Sequence, residues 1–164
     1  MATDPPPDLV LTPLNGEPRG VDDWVTLFPL ALVVLDPFTY ESAWLLEEAG
    51  RILTSFTAAD VRVGWLATSS ADEAREFLGP WAVDLLTFVD PNREVVKALS
   101  LETLPAFVVI NMANKVEAAA EGWDPPAWRK AVGQLATILD WTKPSIPGSS
   151  APGPYLGTPA SGGR

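Results

Sequence analysis

The chain has 164 residues, of which 47% are hydrophobic and 20% are charged, a composition typical of one globular domain. Eleven basic residues against 21 acidic ones give a net charge of −10, which argues against a nucleic-acid partner because phosphate binding needs clustered Lys and Arg. The absence of Cys and His excludes disulfides, thiolate nucleophiles and thiolate metal sites, and removes the commonest general base. We therefore predict no catalytic residue, no cofactor and no metal site.

No stretch of the sequence has the length and apolarity of a membrane-spanning helix. The longest apolar run, 24–35, is interrupted by Thr26 and Pro29 and is shorter than the roughly 20 residues that a span requires. The first residues contain neither the basic region nor the apolar core of a secretory signal. We therefore expect a cytoplasmic protein without membrane insertion.

Composition divides the chain into three regions. Residues 1–7 form a proline-rich N-terminus that we expect to be flexible, and residues 8–142 carry the periodic apolar pattern of the domain. From Lys143 onward, Pro, Gly and Ser make up 14 of 22 residues, so residues 143–164 cannot bury enough apolar surface to offset the entropy of ordering. We expect this tail to be disordered when the protein is alone.

The first half of the domain alternates strands and helices. Asn15-Gly16 predicts the turn of an N-terminal β-hairpin, and the unbroken apolar run 30–35 predicts a strand buried on both faces. A helical pattern follows from about Ser42, and alternating apolar residues over 61–65 predict the next strand. Ser70 with Glu73 forms the capping box of a second helix, which Gly79-Pro80 ends.

The second half continues with a strand over 85–89, a short helix over 94–99 and two strands over 106–110 and 116–121. Asp124 and the two prolines after it predict the start of the last helix. The order β-α-β-α-β-α-β-β-α indicates an α/β fold, in which helices cover both faces of a mixed central sheet.

The arrangement resembles the thioredoxin-like fold, and particular residues carry the resemblance. The strand that includes Leu32–Asp36 leads into Phe38-Thr39-Tyr40-Glu41-Ser42, where Thr39 and Ser42 stand at the two cysteine positions of the active-site motif. Leu104-Pro105-Ala106 stands where that fold has its cis-proline, and Gly122 precedes the last helix. The N-terminal hairpin and the helix after Thr68 favour the AhpC/TSA peroxiredoxins or the TlpA-like redoxins over minimal thioredoxin.

The sequence departs from those redoxins at the positions that support thiol chemistry. Leu35 stands where the peroxiredoxin motif begins with proline, Val33 replaces the buried acid of thioredoxin, and no Arg adjoins Leu104-Pro105. The cysteine-free hydrogenase-expression proteins are similar in kind, because Leu104-Pro105-Ala106 and Gly122-Trp123-Asp124-Pro125 resemble their cis-proline triplet and the start of their last helix.

The resemblance implies a binding surface rather than an active site. It consists of the degenerate loop and the cis-proline groove: Phe38, Thr39, Tyr40, Glu41, Ser42, Leu104, Pro105 and Trp123. Thr39 and Ser42 have an alternative explanation as simple helix caps. The family also implies that the backbone beside Pro105 pairs with an extended peptide, although a purely structural bend is an equal alternative.

The aromatic residues add candidates for core and for interface. Trp65 and Trp128 fall at inward-facing positions, whereas Trp44, Trp81 and Trp123 are harder to place in a core and are candidates for an interface. In the tail, Tyr155 and Leu156 are the candidate anchors for ordering on a partner.

The function that follows is protein–protein interaction by a redox-inactive thioredoxin-fold protein. It would act as a chaperone, an assembly factor or an accessory subunit of a larger hetero-complex, and the resemblance to hydrogenase-expression proteins makes a hydrogenase one candidate for that complex. The alternative is a redoxin-like oxidoreductase or peroxiredoxin homologue whose chemistry is unfamiliar or supplied by another chain.

Overall fold

The computed structural model describes residues 2–162. Its strands and helices, in chain order, are β1 (Val10–Pro13), β2 (Arg19–Gly20), α1 (Val21–Trp24), β3 (Leu30–Leu35), α2 (Tyr40–Thr54), β4 (Arg62–Ala67), α3 (Ala71–Leu78), α4 (Trp81–Asp84), β5 (Leu86–Val89), α5 (Glu94–Ala98), β6 (Thr103–Leu104), β7 (Ala106–Ile110), β8 (Val116–Glu121), α6 (Pro125–Leu139) and β9 (Thr158–Pro159).

Within residues 2–162, seven strands form one mixed sheet in the order β2-β1-β5-β4-β3-β7-β8. The central strand β3 runs parallel to β4 and antiparallel to β7. All six residues of β3 are buried, which confirms the prediction from its unbroken apolar run. The predicted N-terminal hairpin is present as the antiparallel pair β1 and β2.

Helices cover both faces of the sheet, as predicted, and successive residues of β3 contribute to the two faces alternately. Ala31, Val33 and Leu35 pack in the core that contains α2 and α6, together with the fully buried indoles of Trp65 and Trp128. The intervening residues of β3 pack in a second core against α1 and α5. The loop between β3 and α2 begins where β3 leaves the sheet, so it lies between these two layers.

The helix boundaries follow the predicted capping signals. Ser70 and Glu73 form both hydrogen bonds of the capping box at the start of α3, and Asp124 caps α6. The helix α2 begins at Tyr40 rather than at Ser42, because Thr39 is its N-cap. The chain after Gly79 also forms the short helix α4, which the sequence pattern did not predict.

The N-terminal residues contact the domain, while the flexibility expected for residues 1–7 stays a prediction. The Thr3 amide donates to the Leu99 carbonyl over 2.8 Å, and Asp4 Oδ1 accepts from the Val116 amide over 2.8 Å. Pro5 is buried. Hydrogen bonds to backbone amides cannot be predicted from an apolar pattern. Met1 lies outside the described residues.

The C-terminal segment has little regular structure and lies along the domain, while the disorder expected for residues 143–164 in the free protein stays a prediction. Ile146 and Ala160 are buried, and β9 pairs with β6. The composition argument counts apolar surface, whereas much of this segment is held by hydrogen bonds to backbone atoms. Gly163 and Arg164 lie outside the described residues.

Candidate functional site

The loop after β3 is closed by the hydroxyls at the two cysteine positions. Ser42 is fully buried, and its Oγ accepts a hydrogen bond from the Asp36 amide over 2.9 Å. Thr39 Oγ1 donates to the Asp36 carbonyl over 3.0 Å and accepts from the Ser42 amide over 3.4 Å. Both hydroxyls therefore serve the loop and the first turn of α2, as the helix-capping alternative expects.

A buried ion pair lies beneath this loop. Asp36 Oδ2 is 2.9 Å from Arg93 Nη2, and Asp36 Oδ1 accepts from the Phe38 amide over 3.0 Å. Arg93 Nη1 also donates to the Ala160 carbonyl over 2.6 Å. Arg93 was not identified from the sequence, because it lies just before α5, far from the motif. It joins the loop to the C-terminal tail.

The cis-proline is present where the resemblance places it. The Leu104–Pro105 peptide bond is cis, and the Pro105 carbonyl accepts from the Gly122 amide over 2.8 Å. Leu104 is fully buried and so offers a partner its backbone rather than its side chain. That backbone edge is occupied by the chain itself, since Leu104 pairs with Thr158 in the antiparallel pair of β6 and β9.

Trp123 is fully buried, which corrects its assignment to an exposed interface. Its Nε1 donates to the Pro152 carbonyl over 2.8 Å, and its ring centroid lies 5.3 Å from that of Trp128. Its backbone also exchanges two hydrogen bonds with Tyr155, of 2.9 and 3.0 Å. The tail therefore covers Trp123. The sequence pattern around Trp123 does not show this contact, and exposure was predicted for that reason.

The two candidate tail anchors differ in their surroundings. The Tyr155 hydroxyl donates to the Glu41 carbonyl, and its ring contacts Trp44 edge to face, with the centroids 5.5 Å apart. Burial raises the pKa of the Tyr155 hydroxyl, and the nearby charge of Glu41 raises it further. Leu156, in contrast, is 90% exposed. Of these two candidate anchors, Tyr155 is therefore the one that contacts α2.

Three aromatic side chains remain exposed beside the tail, and we call them the aromatic rim: Phe38 (54% exposed), Tyr40 (78%) and Trp44 (56%). Tail and loop together enclose a cleft of about 510 Å³, lined by Asp36, Phe38, Thr39, Tyr40, Glu41, Thr158, Pro159 and Gly162. Exposed apolar groups that lie close together commonly mark an interaction surface. Trp81 is different, since it is partly buried against Trp65, with ring centroids 6.0 Å apart.

The chemistry available to this loop is limited. The Ser42 hydroxyl is buried and already bonded, and the Asp36 carboxylate is paired with Arg93. No base is therefore placed to activate the hydroxyl as a nucleophile. Among residues 2–162, no three His, Cys, Asp or Glu side chains converge as metal ligands, and no helix is long and apolar enough to cross a bilayer.

Neither a protein-family model nor a curated protein sequence matches this chain. Solved structures do. A protein assigned as the thiol:disulfide interchange protein DsbE from Chlorobium tepidum superposes with a TM-score of 0.68 at 16% identity, covering 85% of this chain and 98% of its own. Peroxidoxin BcpB from Mycobacterium tuberculosis superposes with a TM-score of 0.62 at 16% identity, and the match covers 84% of this chain and 97% of BcpB.

A hypothetical protein from Sinorhizobium meliloti 1021 gives a TM-score of 0.68 at 11% identity and covers 98% of this chain and 94% of its own. At such low identity these similarities establish the fold alone. Neighbours of both the DsbE and the peroxidoxin kind leave the subgroup open. The chain thus has the thioredoxin fold, and its sequence contains no cysteine.

Proposed function

We propose that this protein binds another protein through the aromatic rim and the adjoining groove, without redox chemistry, as a chaperone, an assembly factor or an accessory subunit. The observation that carries the proposal is the position of the rim. Phe38, Tyr40 and Trp44 are each more than half exposed, and they flank the place where a strand is added beside cis-Pro105. Apolar contact and backbone pairing are the two components of peptide recognition by strand addition.

The absence of sulfur supports a role in binding over thiol exchange. Disulfide exchange proceeds by attack of a thiolate on a disulfide sulfur, so a thiol supplied by another chain still needs a sulfur to accept it. This chain has neither cysteine, and Ser42 at the second cysteine position is fully buried. The alternative of a redoxin with partner-supplied chemistry therefore requires the partner to carry both sulfurs.

The surroundings of the rim indicate the kind of partner. The rim is aromatic, and aromatic side chains are enriched at the centres of protein interfaces. The net charge of −10 disfavours nucleic acid. The proposal includes a cytoplasmic assembly role, and a role related to hydrogenase among such roles. Its support is the resemblance of Leu104-Pro105-Ala106 and Gly122-Trp123-Asp124-Pro125 to motifs of the hydrogenase-expression proteins.

Affinity purification from the native host with matched variants tests the proposal. Phe38→Asp places a charge in the rim, whereas Met112→Asp places one on another exposed side chain. Met112 follows β7, whose Ile110 pairs with Leu30 at the start of β3, so Met112 lies at the opposite end of the sheet from the rim.

We expect the proteins that co-purify with the wild type to be retained by Met112→Asp and lost with Phe38→Asp, while all three proteins melt at similar temperatures. Quantitative mass spectrometry of the eluates measures the retention. Equal recovery with both variants would show that the partner uses another face.

A further inference from the structure

A short extended segment of the tail, 155–160, is bound in a groove of the domain; we call it the tail strand. On one side its Tyr155 reaches the first turn of α2 through the Glu41 carbonyl. On the other side Thr158 pairs with Leu104, and the Ala160 amide donates to the Glu102 carbonyl over 2.9 Å. A strand added to a free backbone edge is a common mode of peptide recognition.

Two glycines permit the close approach of the two backbones. Gly157 has φ of +86°, and a Cβ on it would lie 2.5 Å from the Leu104 carbonyl oxygen. On the groove side, Gly122 has φ of +69°, and a Cβ there would lie 2.5 Å from the Leu156 carbonyl oxygen. A side chain at either position is therefore excluded by backbone atoms and by the left-handed conformation.

The side chains of the tail strand divide into those that face the groove and two that do not. Tyr155 contacts Trp44 and the Glu41 carbonyl, and Ala160 is fully buried in the core beside α5. Thr158 Oγ1 donates to the Leu104 carbonyl over 3.4 Å. Leu156 is 90% exposed. Pro159 is exposed as well. The groove thus receives an extended segment of the pattern Tyr-x-Gly-Thr-Pro-Ala and leaves the side chains of its second and fifth residues outside.

The tail has a second, separate attachment to the domain. Ile146 is buried against the core between α2 and α6, and the Gly148 amide donates to Glu48 Oε2 over 2.7 Å. Arg129 Nε donates to the Ile146 carbonyl over 2.9 Å. Because this attachment does not involve the groove, the tail strand can leave the groove while residues 146–148 stay bound.

We propose that the groove between α2 and β6 is a binding site for an extended segment of the pattern Tyr-x-Gly-Thr-Pro-Ala, which the chain's own tail fills in cis. A partner segment of the same pattern replaces the tail strand there. This assignment rests on the proposed function and specifies the chemistry of the partner: an extended segment with one aromatic side chain and a glycine two residues later.

The first test uses two full-length variants that differ only in the space around the new Cβ. In Gly157→Ala the new Cβ meets the Leu104 carbonyl oxygen, whereas in Gly153→Ala the new Cβ has no atom within 4 Å. Hydrogen exchange of the Trp123 amide, which donates to the Tyr155 carbonyl, reports whether the tail strand is bound. We expect faster exchange in Gly157→Ala and wild-type exchange in Gly153→Ala; unchanged exchange in both would overturn the assignment.

The second test adds a fluorescent peptide with the sequence of residues 152–162 to each full-length protein. If the tail strand fills the groove nine-tenths of the time, it raises the apparent Kd of the peptide about tenfold. We therefore expect Gly157→Ala protein to bind the peptide about ten times more tightly than wild type or Gly153→Ala. A peptide that itself carries Gly157→Ala should bind none of them.

Equal affinity for all three proteins, or no binding to any, would overturn the assignment. Should Gly157→Ala protein not fold, Tyr155→Ala protein, which loses the contacts with Trp44 and Glu41, serves in the same assay with the same expected result.

The outcomes separate this assignment from the proposed function. Peptide binding to the released groove, together with unchanged co-purification by Phe38→Asp, would keep the groove assignment and refute the rim as the partner site. No peptide binding, together with loss of partners from Phe38→Asp, would refute the groove assignment and keep the proposed function.

Discussion

Substitution of Ile146 by Ala tests whether the tail is part of the folded domain. Ile146 is 6% exposed and packs against the core between α2 and α6. The hydrogen bond from Arg129 goes to the Ile146 backbone carbonyl, so the substitution removes only side-chain packing. Truncation of a buried Ile to Ala costs about 2 to 4 kcal/mol of unfolding free energy. For a chain of this size, such a loss lowers Tm by about 4 to 16 °C.

Thermal and urea unfolding followed by far-UV circular dichroism measure this loss. Leu156→Ala is the matched control, because it truncates a similar side chain in the same tail that is 90% exposed. A surface substitution of this kind should stay within about 0.5 kcal/mol of the wild type. If Ile146→Ala is as stable as Leu156→Ala, the tail does not pack on the domain, and the composition argument for disorder is correct.

Three further predictions concern pH, the cis-proline strand and chemistry. Burial raises the pKa of Glu48, but hydrogen bonds from Arg51 and the Gly148 amide outweigh it and hold the pKa below its ordinary value of 4.5. The Glu48 carboxylate therefore stabilises the fold above pH 4.5, and this stabilisation is lost as the pH falls through the lowered pKa of Glu48 in the folded protein. The Tm difference between wild type and Glu48→Gln should then narrow in acid, and a constant difference would contradict this explanation. Leu104→Glu buries an unpaired charge and should cost about 3 kcal/mol or more in urea unfolding; a wild-type midpoint would show that Leu104 is not buried in solution. The purified protein should neither reduce insulin disulfides nor consume peroxide above buffer, and turnover comparable to that of an authentic thioredoxin would refute redox inactivity.

The parts of the fold that sequence could predict are those with local signals. The apolar run 30–35 and the capping box of Ser70 and Glu73 each indicate their structural role within a few residues, and the family resemblance adds the proline at 105. These signals place β3, α3 and the cis-proline correctly, and with them the end of the sheet where the candidate site lies. The core positions of Trp65 and Trp128 follow from the same periodic patterns.

The parts that sequence missed depend on residues far apart in the chain. Trp123 is buried because Pro152 and Tyr155 return to it, and no periodic pattern connects positions about thirty residues apart. Arg93 reaches Asp36 across 57 positions. The tail binds chiefly through backbone groups, which every residue type carries. Its composition therefore predicts the entropy lost on ordering but does not predict the groove in which it lies.

The fully buried hydrogen bond between Ser42 Oγ and the Asp36 amide determines whether a cysteine at position 42 could support thiol chemistry. A thiol at position 42 would be larger than the hydroxyl and a weaker hydrogen-bond acceptor, so it would leave the Asp36 amide poorly satisfied. It would also lie out of solvent and out of reach of a substrate sulfur. A single Ser42→Cys substitution should therefore lower stability and give no thiol activity, because the loop itself would have to change before a thiol there could meet a substrate.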